Sequence, residues 1–272
     1  MIKTTDAKHN RKHTDFAHFV VHTGKGKRGK WLSFKEFYAP SVEEAKEQVL
    51  DYLYNSFDID DETMLITHSD GGIGYAYKAF WELASDIGIA KGKHHYFWDR
   101  WHVFHYIKEE TKDVPQLRGF FIEAVKENDK AKLLAALDTM EGLIANSEEE
   151  QEKFRKFKNR LLVNFRHTRT SEQRHIPYPD YAIIEALHKK VTFRMKRRGM
   201  YWSIQGALTM IQLIIMKKRN ELHEFQSGSW IEKYEQIEAE ERLRLLYQNE
   251  NSDYEGRNAR VLHTKRPYTP KA

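Results

Sequence analysis

The segment Met64-Leu65-Ile66-Thr67-His68-Ser69-Asp70-Gly71-Gly72 decides how this chain is to be read. Its first four residues form a short apolar run that reads as a buried strand. At Asp-Gly-Gly the strand stops and the backbone turns sharply. A carboxylate just past the C-terminal end of a strand suits a metal ligand, because the glycines after it let a ligand approach closely. An Asp-Gly pair also suits a plain turn, and the segment alone does not separate the two.

Upstream, Phe16 to His22 and Trp31 to Tyr38 read as strands, joined by a Gly/Lys-rich hairpin loop from Gly24 to Lys30. Ile2 to Ala7 reads as a further strand. Ser41 and Glu44 make a capping box, and Val42, Ala45, Val49 and Leu53 recur at helical spacing. Downstream, a helix is expected from about Ala76 to Ile87, and His95-Tyr96-Phe97-Trp98 is a strand leading into Asp99. The order strand, strand, strand, helix, strand, helix, strand is that of the ribonuclease H fold, an α/β architecture with a mixed sheet and flanking helices.

From Val114 to about His167 the pattern is purely helical, with Asn128 or Asp129 as one cap and Ser147 with Glu150 as a second capping box. Pro177 and Pro179 end this block. Two helices follow, over about Tyr181–Arg198 and Ile204–Glu224, separated by Gly199 to Ser203. Residues 248–272 are polar, lack periodicity and are expected to be mobile. The expected division is 1–113 as the first part of the core and 114–168 as an all-helical insertion. Segment 169–225 then supplies C-terminal helices completing the core, and 226–272 a polar helical or disordered tail.

The 272 residues are 40% hydrophobic, enough for one substantial core and a second small helical body. Lys+Arg 45 against Asp+Glu 40 gives a net charge of +5, a mildly basic balance that fits a nucleic-acid partner. The cations cluster at Lys8–Lys12, Lys25–Lys30, Arg194–Arg198, Lys217–Arg219 and Arg257–Lys271; each run taken alone also reads as a solvated face. There is no cysteine, which excludes disulfides and thiolate metal sites. His9/His13 and His18/His22 lie four apart but on no helical pattern, so neither reads as a zinc site. No apolar run approaches the ~20 residues of a membrane span and no signal peptide is evident, so a soluble, cytoplasmic protein is expected.

Two further elements carry candidate chemistry. Asp180 is placed to cap the helix that holds Glu185. On that helix Ile184, Leu187, Val191 and Met195 form the apolar stripe, and Glu185, His188, Lys189, Thr192 and Lys196 share an adjoining face. That face suits a metal ligand beside phosphate contacts; it equally suits a Glu185–Lys189 helical ion pair. Asp99 and His102 stand at a strand-to-helix junction, where Asp99 reads as an N-cap and His102 as a neighbour held by hydrogen bonds. A structural role beside the site is favoured for this pair over a ligand role.

Taken together, His68-Ser69-Asp70-Gly71-Gly72, Tyr96-Phe97-Trp98-Asp99-Arg100-Trp101-His102, and Ile184-Glu185 followed by Arg194 to Ala207 resemble the ISLre-type bacterial insertion-sequence transposases, relatives of the Mutator-like DDE transposases. The run Arg194-Met195-Lys196-Arg197-Arg198-Gly199-Met200-Tyr201-Trp202-Ser203 is the most specific piece, and the resemblance covers roughly residues 1–225. It implies a ribonuclease H-like fold with a helical insertion between the second Asp and the Glu. It also implies a catalytic, metal-binding triad of Asp6, Asp70 and Glu185, with Asp99 and His102 in support. Around the first Asp the family has an Asp-Glu-Asp-His-like stretch, whereas this chain has Asp6-Ala7-Lys8-His9. Family members carry a sizeable part ahead of that Asp, which this chain is expected to lack.

The resemblance further implies two Mg²⁺ (or Mn²⁺) ions about 3.5–4 Å apart, held by carboxylate oxygens, which cleave DNA and transfer strands by in-line displacement at phosphorus. Lys189, Lys196, Arg197 and Arg198 are expected on backbone phosphates. Trp202 or Tyr201 is placed either to stack on an unpaired base or to pack into the interhelix turn. The implied partners are transposon ends and target DNA, with the protein a homodimer or higher oligomer on the nucleoid. Two other readings stand beside this one: a ribonuclease H-like nuclease without strand transfer, and a non-catalytic DNA-binding remnant of a decayed transposase.

Overall fold

The computed structural model describes residues 2–6, 10–143, 147–176, 183–196, 200–232, 234–239 and 242, and for Glu185 the backbone alone. The elements in chain order are β1 (Ile2–Thr5), β2 (Arg11–Thr14), β3 (Ala17–Val21), β4 (Lys35–Ala39), α1 (Val42–Ser56), β5 (Leu65–Ser69), α2 (Tyr77–Asp86), β6 (His94–Trp98) and α3 (Arg100–Glu110). There follow α4 (Arg118–Glu127), α5 (Lys130–Leu143), α6 (Glu148–Asn164), α7 (Ser171–Arg174), α8 (Ile183–Met195), β7 (Trp202–Ser203), α9 (Ile204–Arg219) and α10 (Leu222–Ser227). The fold is mixed α/β, with helix predominating over three small sheets. Two compact units emerge: Met1–Asp58 with Ala182–Ala272, and Ile59–Tyr181.

In the first unit β1 is central to a sheet of order β2-β1-β7. It runs antiparallel to β2 from Ile2↔Thr14 to Thr5↔Arg11 and parallel to β7 at Thr4↔Trp202. Neither β2 nor β7 is legible in sequence. Arg11-Lys12-His13-Thr14 has no apolar face and is held by the backbone ladder and a 2.6 Å hydroxyl pair, Thr4 Oγ1 to Thr14 Oγ1. β7, two residues long, is too short for any periodicity. β3 and β4 pair antiparallel from Ala17↔Ala39 to Val21↔Lys35. The second of these strands begins at Lys35, not at Trp31 as expected; Trp31 instead bridges Lys25 across the hairpin.

α1 starts at the expected cap: Ser41 Oγ accepts from Glu44 N at 3.2 Å and donates to Glu44 Oε1 at 3.0 Å, and Ala45, Val49 and Leu53 are buried. The core of this unit packs Ile2 against Val191 and Met195 of α8 and Ala207, Ile211 and Ile215 of α9. Both helices thus bury a stripe at four-residue spacing. The expected helix to Glu224 ends at Arg219. Asn220 turns left-handed there (φ +62°), a conformation Asn adopts more readily than other side-chain-bearing residues, and α10 begins after it.

In the second unit β5 and β6 are parallel. Both expected caps at 128–129 are used, at opposite ends: Asn128 closes α4 in the left-handed region, and Asp129 Oδ1 accepts from Ala131 N and Lys132 N to open α5. Ser147 caps α6 through Glu150 N. Phe157 of α6 meets both Phe121 and Tyr106 edge-on, and Val103, Ile107, Leu133, Leu137 and Leu161 of the same unit are buried. The four-residue α7, opened by a Thr170–Gln173 capping box, is unexpected. Pro177, Pro179, Asp180 and the segment 248–272 lie outside the described residues. Among the described residues no helix is long and apolar enough to cross a membrane.

Candidate active site

β5 and β6 pair residue for residue from Leu65↔His94 to Ser69↔Trp98. The next residue of each strand, Asp70 and Asp99, therefore leaves the sheet on the same edge, and Asp99 N still donates to Ser69 O at 2.8 Å. The carboxyl ends of parallel strands are where α/β folds hold their ligands.

Asp70 is exposed, and the turn that carries it is held from several sides. Gly72 N donates to Asp70 Oδ1 (2.9 Å) and Gly71 N to Ser69 Oγ (3.1 Å). Trp98 Nε1 donates to Asp70 O (2.8 Å), and Arg160 Nη2 of α6 donates to Gly71 O (3.3 Å). Gly71 is required here: its φ is +68°, and a Cβ would lie 2.7 Å from Trp98 Nε1. Beneath the turn Ser69 Oγ donates to Tyr75 O (2.5 Å) and lies 2.8 Å from the hydroxyl of Tyr96, whose burial pushes its pKa up to about 12. Asp70 Oδ2 makes no hydrogen bond among the described residues, and a carboxylate oxygen so placed suits a hard cation.

Asp99 caps α3, its Oδ1 accepting from Trp101 N (2.8 Å) and His102 N (3.1 Å). Its Oδ2 lies 3.4 Å from His68 Nε2. Burial lowers the His68 pKa against the opposing pull of Asp99 and Asp70. The expectation that His102 is held by hydrogen bonds is not met among the described residues. Its side chain is 42% exposed, and Nδ1 lies 3.4 Å from Asp99 Oδ1 without a hydrogen bond. The reason is that two backbone N–H groups already occupy that oxygen.

The other expected site residues belong to the first unit. Asp6 follows β1 and is held by the start of β2: Asn10 N donates to Oδ1 (2.8 Å), Asn10 Nδ2 donates to Oδ2 (3.1 Å), and Lys12 Nζ lies 3.4 Å from Oδ2. Glu185 is in the first turn of α8, its side chain outside the described residues. Lys189 is exposed on α8, Lys196 follows its last residue half-buried, and Arg197 and Arg198 lie outside the described residues. Trp202 packs against the core of its unit, the second of the two roles open to it. Tyr201 has Arg11 Cζ 4.9 Å and Lys3 Nζ 5.3 Å from its ring centroid. Among the described residues no three His, Asp or Glu side chains are grouped as a metal site requires.

Sequence reasoning missed His68 and Arg160 as parts of this site. His68 stands in the decisive segment, and its place beside Asp99 follows once the two strands are known to run parallel in register. Arg160 carries no signal, because a cation on a charged helix reads as solvated.

The chain matches the uncharacterised protein family UPF0236 over residues 5–234 and belongs to it. It is 29% identical over 218 residues to the "UPF0236 protein in vanSb 3'region" of Streptococcus gallolyticus, a match covering 78% of this chain and 47% of that protein. The chain thus spans about half the length of the relative it matches. No solved structure matches the chain.

Proposed function

We propose that this UPF0236 chain is catalytic machinery of a DNA transposase built on a ribonuclease H-like core. The observation that carries the reading is the pair Asp70 and Asp99, set side by side where two in-register parallel strands end. The three-segment resemblance to ISLre-type transposases supports it from the sequence. Asp6, Asp70 and Glu185 are the proposed metal ligands. When bound, two Mg²⁺ or Mn²⁺ ions would stabilise the attacking and leaving oxygens at phosphorus.

The chain's own residues have separable parts in this reading. The Gly71–Trp98–Arg160 contacts fix the main chain from which Asp70 projects, so its carboxylate is placed before substrate arrives. Asp99 sets the start of α3 and faces the imidazole of His68. Lys189, Lys196, Arg197 and Arg198 contact phosphates, and the protein acts on DNA as a dimer or higher oligomer. To hold a metal ion, Asp6 would have to exchange its Asn10 and Lys12 contacts. Those contacts are also the observation favouring the alternative, a non-catalytic DNA-binding remnant.

The test uses the full chain, Mg²⁺ and a plasmid carrying the DNA that flanks its own gene. Strand cleavage followed by joining to target is expected. Glu185→Gln and Asp70→Asn should abolish both while leaving DNA affinity intact or tighter, since each removes a negative charge and no phosphate contact. Cleavage without joining means a nuclease. Binding without cleavage means the remnant, and neither binding nor cleavage removes the reading.

A further inference from the structure

In the first unit the basic end of α9 packs at Phe34 and Glu36, beside a hairpin that carries a second basic run. The β3–β4 hairpin carries Lys25, Lys27, Arg28 and Lys30, all exposed, and no Asp or Glu occurs between Asp15 and Glu36. The tip is an ordered ribbon: Leu32 N donates to Gly24 O (2.9 Å), Gly26 N to Lys30 O (2.8 Å) and Gly29 N to Gly26 O (2.9 Å). Trp31 braces it, with its ring centroid 4.4 Å from that of His22 and 4.5 Å from Lys25 Nζ. A ribbon already rigid loses little freedom on binding.

At the base of the hairpin, Lys218 Nζ and Arg219 Cζ from the end of α9 each lie 5.8 Å from the ring of Phe34. Lys218 is neutralised by the buried carboxylate of Glu36 at 3.0 Å. Arg219 has no such carboxylate among the described residues, and its Nη2 has no hydrogen-bond partner there although it is shielded from solvent. Cations at a helix C-terminus are favoured by its dipole, but that leaves the hairpin unexplained. Among the described residues Lys27, Arg28 and Lys30 face no carboxylate, whereas Lys93, Lys132 and Lys158 each pair with one at 2.9 Å or less.

We propose that Lys25, Lys27, Arg28 and Lys30, with Arg219 at their base, form a second nucleic-acid interface that grips the phosphate backbone of duplex DNA. This rests on the DNA reading above and adds to it a contact separate from α8. A two-stranded ribbon has the width to enter the major groove, about 12 Å across. The tip carries no Asn or Gln to read an adenine edge, and its lysines and arginine suit backbone phosphates.

The experiment measures affinity of the full chain for a random-sequence duplex across roughly 50–200 mM salt. It compares the unaltered chain with the triple variant Lys27→Gln, Arg28→Gln, Lys30→Gln, and with Arg219→Gln. The triple variant should lower the slope of log affinity against log salt by about 0.9 for each phosphate no longer neutralised, for all sequences alike. Its thermal unfolding should be unchanged, since the three side chains are exposed. Arg219→Gln should lower the slope by about 0.9, the value for a single phosphate. Binding by the unaltered chain with no slope change in the triple variant overturns the hairpin interface and leaves the DNA reading standing. No binding of duplex at any salt overturns both. Binding of phosphatidylserine vesicles in preference to duplex overturns the interface in favour of a membrane surface.

Discussion

At Gly71 the α-carbon has no room for a side chain. Gly71→Ala meets both a left-handed φ and the indole of Trp98, so a loss of about 1–3 kcal/mol is expected by urea unfolding, with loss of any Asp70-dependent activity. A fully stable variant would show that the turn relaxes around a Cβ. Asp99 separates cap from charge. Asn caps as well as Asp, so Asp99→Asn should unfold like the unaltered chain while Asp99→Ala costs about 1 kcal/mol. The Asn variant also removes the carboxylate that raises the His68 pKa, so the His68 NMR titration should move lower still. An unmoved midpoint would mean that Asp99 and His68 do not interact. The residue types at this turn were legible in sequence; the contacts of His68 and Arg160 were not, since each needs a neighbour supplied by another element.

Among the elements, the corner between α4 and α5 shows how one side chain serves several segments. Asn128 takes the left-handed C-cap, donates from Nδ2 to Phe165 O (3.2 Å) and Thr168 Oγ1 (3.3 Å), and accepts from Arg169 Nε (2.7 Å). Asn128→Gly keeps the conformation and loses the bonds, and should cost about 1–3 kcal/mol. Asn128→Ala adds a further 1–2 kcal/mol, roughly, for the strained φ. Equal losses for the two variants would show that φ carries no cost there. Ile211→Ala, in the α8–α9 core, should cost about 2–5 kcal/mol. Caps and apolar stripes made α1, α5, α6, α8 and α9 readable from local pattern alone. β2 and β7 were not, because a polar edge strand and a two-residue strand are specified by the backbone of β1 and by no pattern of their own.

Over the whole molecule, burial lowers the pKa of histidines in both units; among the described residues it does so most for His18 in the first, to about 3, and for His94 and His167 in the second, each to about 4. Glu36 lies only 4.0 Å from His18, but Lys218 has already neutralised it, so burial prevails. The sign follows from linkage. These groups bind protons more readily unfolded, near pH 6.5, so stability is complete above that pH and falls as pH drops from about 6.5 towards 4. Urea midpoints should be flat from about pH 7 to 8 and decline below about 6.5. A flat profile down to about pH 4.5 would mean that these rings are solvated in the folded protein.

What the sequence determined by itself is the α/β alternation, most helix starts and the identity of the exposed carboxylate at the end of β5, since those depend on local pattern and side-chain chemistry. Tertiary structure decided which groups stand together. It placed Asp70 beside Asp99, because parallel pairing in register is set by facing backbones. It tied Asp6 to Asn10 and Lys12, where the sequence offered only a carboxylate. It also brought Lys218 and Arg219 to the foot of a hairpin that precedes them by most of the chain. Proximity between distant segments is sustained by burial of the whole core, and no short stretch of sequence contains it.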